Sequence, residues 1–152
     1  MSAAEKFKES VGGLFSSVEA ESARRIVAWA KPKDSKAIFQ KLLEDFKLDF
    51  YLDFLTVVDY PGEKQVEANY GLWFYSQQTL LTIKFRLPRN KPEIETISDL
   101  IPSAVFHEQE AYDLMGVTFS GNPNLKRGFF VTEPAEGDFP LRKEEEEPVE
   151  QS

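Results

Sequence analysis

The chain has 152 residues, no cysteine, one histidine and a formal net charge of −8. Without cysteine it can supply no disulfide, thiolate nucleophile or iron–sulfur ligand, and one histidine cannot build a histidine-rich zinc site. We therefore expect no cofactor in this chain, so any redox cofactor would belong to a partner. The negative charge repels a phosphate backbone, and nucleic acid is not an expected ligand.

The hydrophobic fraction of 41% suits one domain with a single core. Residues 1–23 carry apolar side chains at helical spacing that Gly12 and Gly13 interrupt, which predicts a helical or flexible leader. Residues 143–152 contain one lysine and five glutamates, which predicts a flexible acidic tail. No signal peptide is evident, and no apolar run approaches the roughly 20 residues of a membrane span. We expect a cytoplasmic protein that reaches a membrane only through a partner.

Residues 24–142 should form the folded domain. Alternating apolar and polar residues predict strands, and apolar residues three and four apart predict helices. In chain order these patterns give a strand near 25–30, for which a helix is the alternative, then a helix over 35–47, strands near 50–58, 66–75 and 80–87, and a helix from Ile97 to Met115. Pro102 can divide the last helix near its start, because proline cannot donate a backbone hydrogen bond. The predicted fold class is α+β, with an antiparallel four-stranded sheet and the helices packed on one face.

Glu108 is the most unusual residue of the last helix, because the helical pattern places it on the apolar stripe. A carboxylate there must be protonated, covered by a partner, or paired, for example with Arg127 or Arg142. A catalytic dyad is disfavoured, since Glu110 lies about 200° and Asp113 about 140° around the helix from Glu108. The His-Glu pair formed with the preceding residue lacks the second histidine of a zinc protease motif.

Three stretches resemble the thirty-kilodalton subunit family of respiratory complex I, which includes the related subunit of energy-converting membrane-bound hydrogenases. They are DFLTVVDYP from Asp53, EQEAYDLMGVTFSGNPNLKR from Glu108, and PLRK from Pro140. The family signature reads roughly E-R-E-x-Y-D-(M/L)-x-G-(I/V)-x-F-x-G-H-P-x-L-x-R and closes with W-x-G-x-P-x-R-K-D. By resemblance, the residues that order the signature loop or meet a partner are Glu108, Glu110, Tyr112, Asp113, Gly116, Gly121, Pro123, Arg127, Pro140, Arg142 and Lys143.

The resemblance implies a non-catalytic structural subunit in the cytoplasmic hydrophilic arm of a complex I-related membrane-bound oxidoreductase. Such a subunit packs against the large catalytic subunit and the iron–sulfur subunit, and it supports electron transfer coupled to ion translocation. Iron–sulfur clusters, and nickel–iron in a hydrogenase, would sit in those partners.

The chain departs from the signature where Gln109 replaces an arginine, Asn122 a histidine and Ala135 a tryptophan, and where the acidic tail replaces the closing aspartate, aromatic and proline ending. These departures favour a hydrogenase-like or ferredoxin-linked complex, and a quinone-reducing NADH dehydrogenase is the alternative. A stand-alone small enzyme with Glu108 or Asp113 as general base is the least favoured hypothesis.

Overall fold

The structure is a computed structural model that describes residues 1–126, 139 and 141–143. Three helices lie in this part of the chain: α1 Ala3–Val11, α2 Ser35–Phe46 and α3 Ala104–Met115. The strands there are β1 Phe15–Ser22, β2 Arg25–Ala30, β3 Phe50–Tyr60, β4 Gln65–Phe74, β5 Thr79–Pro88, β6 Glu93–Glu95 and β7 Thr118–Ser120. None of the helices described is long and apolar enough to cross a membrane.

Five strands form the main sheet, in the order β1-β2-β5-β4-β3. Strands β3, β4 and β5 follow one another as an antiparallel meander, and β1 pairs antiparallel with β2. Strand β2 pairs parallel with β5, so that Ile26 lies opposite Leu81 and Ala28 opposite Ile83. The connection between these two parallel strands contains α2, β3 and β4.

The predicted antiparallel four-stranded sheet is therefore wrong: the sheet is mixed and has five strands. The four expected strands are present, but an alternating sequence gives the same pattern whichever way its neighbour runs, so it does not reveal the parallel pair. The extra strand β1 lies within residues 1–23, where a helical or flexible leader was expected. Its sequence FSSVEAES is almost entirely exposed, because β1 is an edge strand with irregular register, and such a strand shows little apolar alternation.

The core lies between one face of the sheet and the helices. Helix α1 places the Phe7 ring 4.6 Å from that of Phe74, and α2 places the Phe39 ring 5.1 Å from that of Tyr70. These centroid distances are typical of packed aromatic pairs. The fully buried sheet residues beneath the helices include Ala28, Val66, Ala68, Tyr70, Leu72, Phe74, Leu81, Ile83 and Phe85.

Helix α3 begins seven residues later than the apolar pattern suggests. Residues 97–103 form turns instead, and α3 starts at Ala104, just after Pro102. Beside α3 lies a second, two-stranded parallel sheet in which Ile94 of β6 pairs with Phe119 of β7, and both side chains are buried. The helix ends at Gly116 in the left-handed conformation, with φ of 77°.

Gly71 supports a local feature of the opposite sheet face. A register shift between Leu52 and Phe54 pairs Phe54 with Gly71, and the Phe54 ring lies over the glycine. A β-carbon at position 71 would lie only 2.2 Å from Phe54 Cε1, so this position has no space for a side chain.

We predict that Gly71→Ala lowers the free energy of unfolding by about 1 to 3 kcal/mol, the usual cost of overpacking. Urea denaturation measures this change, and Gly62→Ala is the matched control because nothing lies within 4 Å of a β-carbon there. Phe54→Leu should relieve part of the loss in the double variant. Additive effects of Gly71→Ala and Phe54→Leu would contradict the proposed contact.

Candidate functional site

Glu108 lies at the centre of a buried hydrogen-bond network. Its side chain is 0% exposed, and its carboxylate accepts hydrogen bonds from Thr96 Oγ1, from the Ile97 backbone N–H at 3.0 Å and from Asn122 Nδ2 at 2.9 Å. Thr96 and Ile97 follow β6, whereas Asn122 follows β7. One side chain of α3 therefore holds the segments that leave both strands of the small sheet.

The partners of Glu108 in this network are neutral, which affects its protonation. Burial raises the pKa of Glu108 because a charged carboxylate loses its hydration, and the three hydrogen bonds oppose that effect only in part. Arg142, one of the cations considered as a partner, binds elsewhere, and Arg127 lies outside the described residues.

Gln109 holds the loop that follows β7 further along, at Lys126, through both the nitrogen and the oxygen of its side-chain amide. Its Nε2 donates to the Lys126 carbonyl oxygen, and its Oε1 accepts from the Lys126 backbone N–H at 3.0 Å. This two-point contact has the same donor and acceptor pattern as a backbone pair in a sheet. The sequence marked Gln109 only as a departure from the signature, whereas the structure gives it a specific role in positioning Lys126. The contacts of Glu108 and Gln109 together form the first anchor of the loop.

Two signature glycines have a backbone conformation that other residues rarely adopt. Gly116 has a φ of 77° and Gly121 a φ of 87°, both in the left-handed region that favours glycine. A β-carbon on Gly116 would also lie 2.7 Å from the Phe139 ring. Gly116 is therefore needed both to end α3 and to let the returning chain pack against it.

A second anchor holds residues 141–143 at the C-terminal end of α3, which is about 10 Å from Glu108 along the helix axis. Asp59, 2% exposed, binds Arg89 through two hydrogen bonds of 2.7 and 3.0 Å. This pair then contacts both backbone groups of Lys143: the N–H donates to Asp59 at 2.7 Å, and the carbonyl accepts from Arg89 at 2.6 Å. Sequence reasoning missed both residues, although Asp59 belongs to the DFLTVVDYP stretch.

Arg142 joins this second anchor to the helix. Its Nε donates to the Met115 carbonyl at 2.7 Å and its Nη1 to the Arg89 carbonyl at 3.0 Å. The Leu141 N–H donates to the Leu114 carbonyl at 3.2 Å. The bonds to Met115 and Leu114 satisfy carbonyls near the C-terminus of α3 that have no partner within the helix.

The other signature residues have different environments. Asp113 is fully buried, Tyr112 is half-buried, and Glu110 and Pro123 are exposed. Pro140, like Arg127, lies outside the described residues. Within the described ranges, no group of three or more histidine, cysteine, aspartate or glutamate side chains is placed to hold a metal ion.

The fold and site together define a small α+β domain built around α3. One set of hydrogen bonds holds the segments that follow β6 and β7, and a second set holds residues 141–143 at the end of the helix. The family model described as "Respiratory-chain NADH dehydrogenase, 30 Kd subunit" matches residues 28–150, and the chain belongs to this family. It is thus a complex I 30 kDa-type subunit of an NADH-quinone oxidoreductase or a related complex.

Two relatives and two solved structures illustrate the range of similarity. The corresponding NADH-quinone oxidoreductase subunit of Moorella thermoacetica is 34% identical, with 92% of this chain and 97% of that protein covered. The corresponding F(420)H(2) dehydrogenase subunit of Methanosarcina mazei is 33% identical, with 93% and 85% covered. A chain from a structure of the membrane-bound sulfane sulfur reductase, an archaeal respiratory membrane complex, has a TM-score of 0.80 at 23% identity and covers 91% of this chain and 80% of its own length. The trypsin-resistant fragment of Nqo5 has a TM-score of 0.65 at 21% identity, with 82% of this chain and 100% of the fragment covered. Both structures show the same fold.

We predict that Asp59→Asn destabilises the protein by about 3 to 5 kcal/mol, because it leaves the Arg89 charge without its buried partner. Desolvation alone would raise the pKa of Asp59, but the hydrogen bonds from Arg89 and Lys143 and the nearby positive charges lower it overall. The stabilisation is therefore present above the ordinary value of 3.8 and is lost as the pH falls through the lower folded value.

Urea denaturation between pH 2 and 7 tests this prediction, with Asp99→Asn as the control. Asp99 also forms an ion pair, with Lys36, but its side chain is 54% exposed, so its loss should cost no more than about 1 kcal/mol. Equal losses in the two variants would contradict the role assigned to the buried pair.

Proposed function

We propose that this chain is a non-catalytic structural subunit of the peripheral arm of a complex I-related membrane-bound oxidoreductase. It packs against the large catalytic subunit and the iron–sulfur subunit on the cytoplasmic side, and it supports electron transfer coupled to ion translocation. Family membership supports assembly with other subunits. Iron–sulfur clusters, and nickel–iron in a hydrogenase, reside in those partners.

The observation that carries this proposal is the burial of the two acids that could have been general bases. Glu108 and Asp113 are both 0% exposed, and Glu108 uses its carboxylate oxygens to bind the loops around it. A general base must reach the substrate proton directly or through one water molecule. The geometry therefore favours a structural subunit over a stand-alone enzyme.

Exposed apolar surface next to the first anchor supports contact with another subunit. The side chains of Val105 and Phe106 are 36% and 56% exposed on the first turns of α3. They line a groove of about 390 Å³ together with Gln109 and Lys126, which Gln109 fixes in place. An apolar surface beside rigid backbone is typical of a protein interface.

The sequence also bears on which type of complex the chain joins. The departures at Gln109, Asn122 and Ala135 favour a hydrogenase-like or ferredoxin-linked complex, whereas the name of the Moorella relative supports the alternative, a quinone-reducing NADH dehydrogenase. Purifying the complex through a tag on this chain and measuring nickel would separate the two. Stoichiometric nickel supports the hydrogenase-like complex, and its absence together with quinone reduction supports the alternative.

We predict that Glu108→Gln lowers the amount of intact complex recovered while turnover per assembled complex stays near normal. The amide keeps the shape of the side chain, but one of its two carboxylate acceptors becomes a donor, which disturbs a network built from three donors. Tagged complexes from cells that carry either variant measure yield and turnover separately. Glu44→Gln, the same change at an exposed position of α2, is the control.

The enzyme hypothesis predicts the opposite pattern for Glu108→Gln. A lost general base would leave assembly intact and reduce turnover by about a hundredfold or more. That result would overturn the structural proposal.

A further inference from the structure

The hydroxyl groups of Thr96 and Ser98 connect buried Glu108 toward the protein surface. Thr96 Oγ1 contacts the Glu108 carboxylate and lies 2.8 Å from Ser98 Oγ, where either oxygen can donate the hydrogen bond. The exposed fraction of the residues rises along this series of hydrogen bonds: Glu108 is 0% exposed, Thr96 is 3% exposed, and Ser98 is half-buried. Each hydroxyl can donate one hydrogen bond while accepting another, which is the property that proton transfer along a chain requires.

We infer that Glu108 is a buried proton-binding site and that the Thr96 and Ser98 hydroxyls form the relay through which it exchanges protons with solvent. The ligand is a single proton, and the site is independent of which complex the chain joins. The three donors of the network match a deprotonated carboxylate, which only accepts hydrogen bonds.

Proton transfer along this relay balances without any other reactant. A hydronium ion gives one proton to Ser98 Oγ and leaves as water, the original Ser98 proton passes to Thr96 Oγ1, and the original Thr96 proton passes to Glu108. Each hydroxyl ends with one hydrogen, and the carboxylate has become a neutral acid. The protonated Glu108 then donates to Thr96, and the hydrogen bond between Thr96 and Ser98 reverses its direction.

Burial has the largest effect on how strongly Glu108 holds the proton, and nearby charges modify it. Among the described residues, Lys36 of α2, Asp99 of the following loop and Tyr70 of β4 interact electrostatically with it. Lys36 is paired with Asp99 at 2.6 Å, so its positive charge is largely compensated before it acts on Glu108. Burial and the Glu108 charge together raise the pKa of Tyr70, whose phenol therefore stays neutral.

Proton binding changes the attachment of the loop after β7. A hydrogen bond to a carboxylate is roughly twice as strong as one between neutral groups, so the bond from Asn122 weakens when Glu108 is protonated. Because the folded protein holds this proton above the ordinary glutamate value of 4.5, its contribution to stability is greatest below that value and declines as the pH rises through the folded pKa. Asp59 has the opposite dependence, so the two groups are distinguishable.

Carbon-13 NMR of the full chain, labelled at the glutamate carboxyl groups, tests this inference. The signal that is absent from Glu108→Gln identifies Glu108, and its shift with pH should give a midpoint above 4.5 while the protein remains folded. Thr96→Val, which removes the relay hydroxyl but preserves shape, should slow proton exchange at Glu108 by about a hundredfold, the lower scale for a positioned proton-transfer group. Thr96→Ser keeps the hydroxyl and should leave the exchange rate within a few-fold of the original.

Ser98→Ala interrupts the relay nearer the surface and provides the same test if Thr96→Val does not fold. Slow exchange in either variant supports the relay. A Glu108 midpoint at or below 4.5 would overturn the proton site, and unchanged exchange in both relay variants would overturn the route. Neither readout depends on enzymatic activity, and Thr96→Ser, which restores the hydroxyl, separates loss of the relay from a change in packing.

Discussion

The cost of burying a charged or polar group without a partner is the constraint on which the site depends. Glu108 has no contact with solvent, yet its two oxygens accept three hydrogen bonds from separate segments of the chain. A carboxylate in that position is stable only while these segments remain in place, because losing a donor exposes the full desolvation cost. The acid therefore makes the arrangement of α3 and the small sheet cooperative.

At the C-terminal end of α3, the buried charge of Asp59 is compensated differently, by the cation Arg89. There the buried acid has a cation partner, and the pair uses its remaining hydrogen-bonding capacity on the backbone of Lys143. Backbone recognition fixes the path of the chain independently of the Lys143 side chain, which is exposed. The two anchors thus hold Lys126 and Lys143 in place.

The sequence revealed the strands of the meander and the burial of Glu108, because both follow from a local period of apolar residues. It did not reveal the direction of β2 relative to β5, since the parallel pair depends on the whole path of the chain between them. Edge strand β1 was missed because its exposed residues carry no apolar alternation. The roles of Thr96 and Arg89 were equally invisible, because a hydrogen-bond partner is set by tertiary position and not by the spacing of residue types.

Family membership connects these internal contacts with assembly into a larger complex. A subunit that joins a large complex gains affinity when its contact surfaces are already ordered, because less conformational entropy is lost on binding. Buried residues can contribute in this way: Glu108 holds Ile97 and Asn122, and Gln109 holds Lys126 in the groove that the exposed Phe106 also lines. A sequence signature shared by relatives whose names give different electron donors, NADH and F(420)H(2), can therefore record the geometry of a common fold.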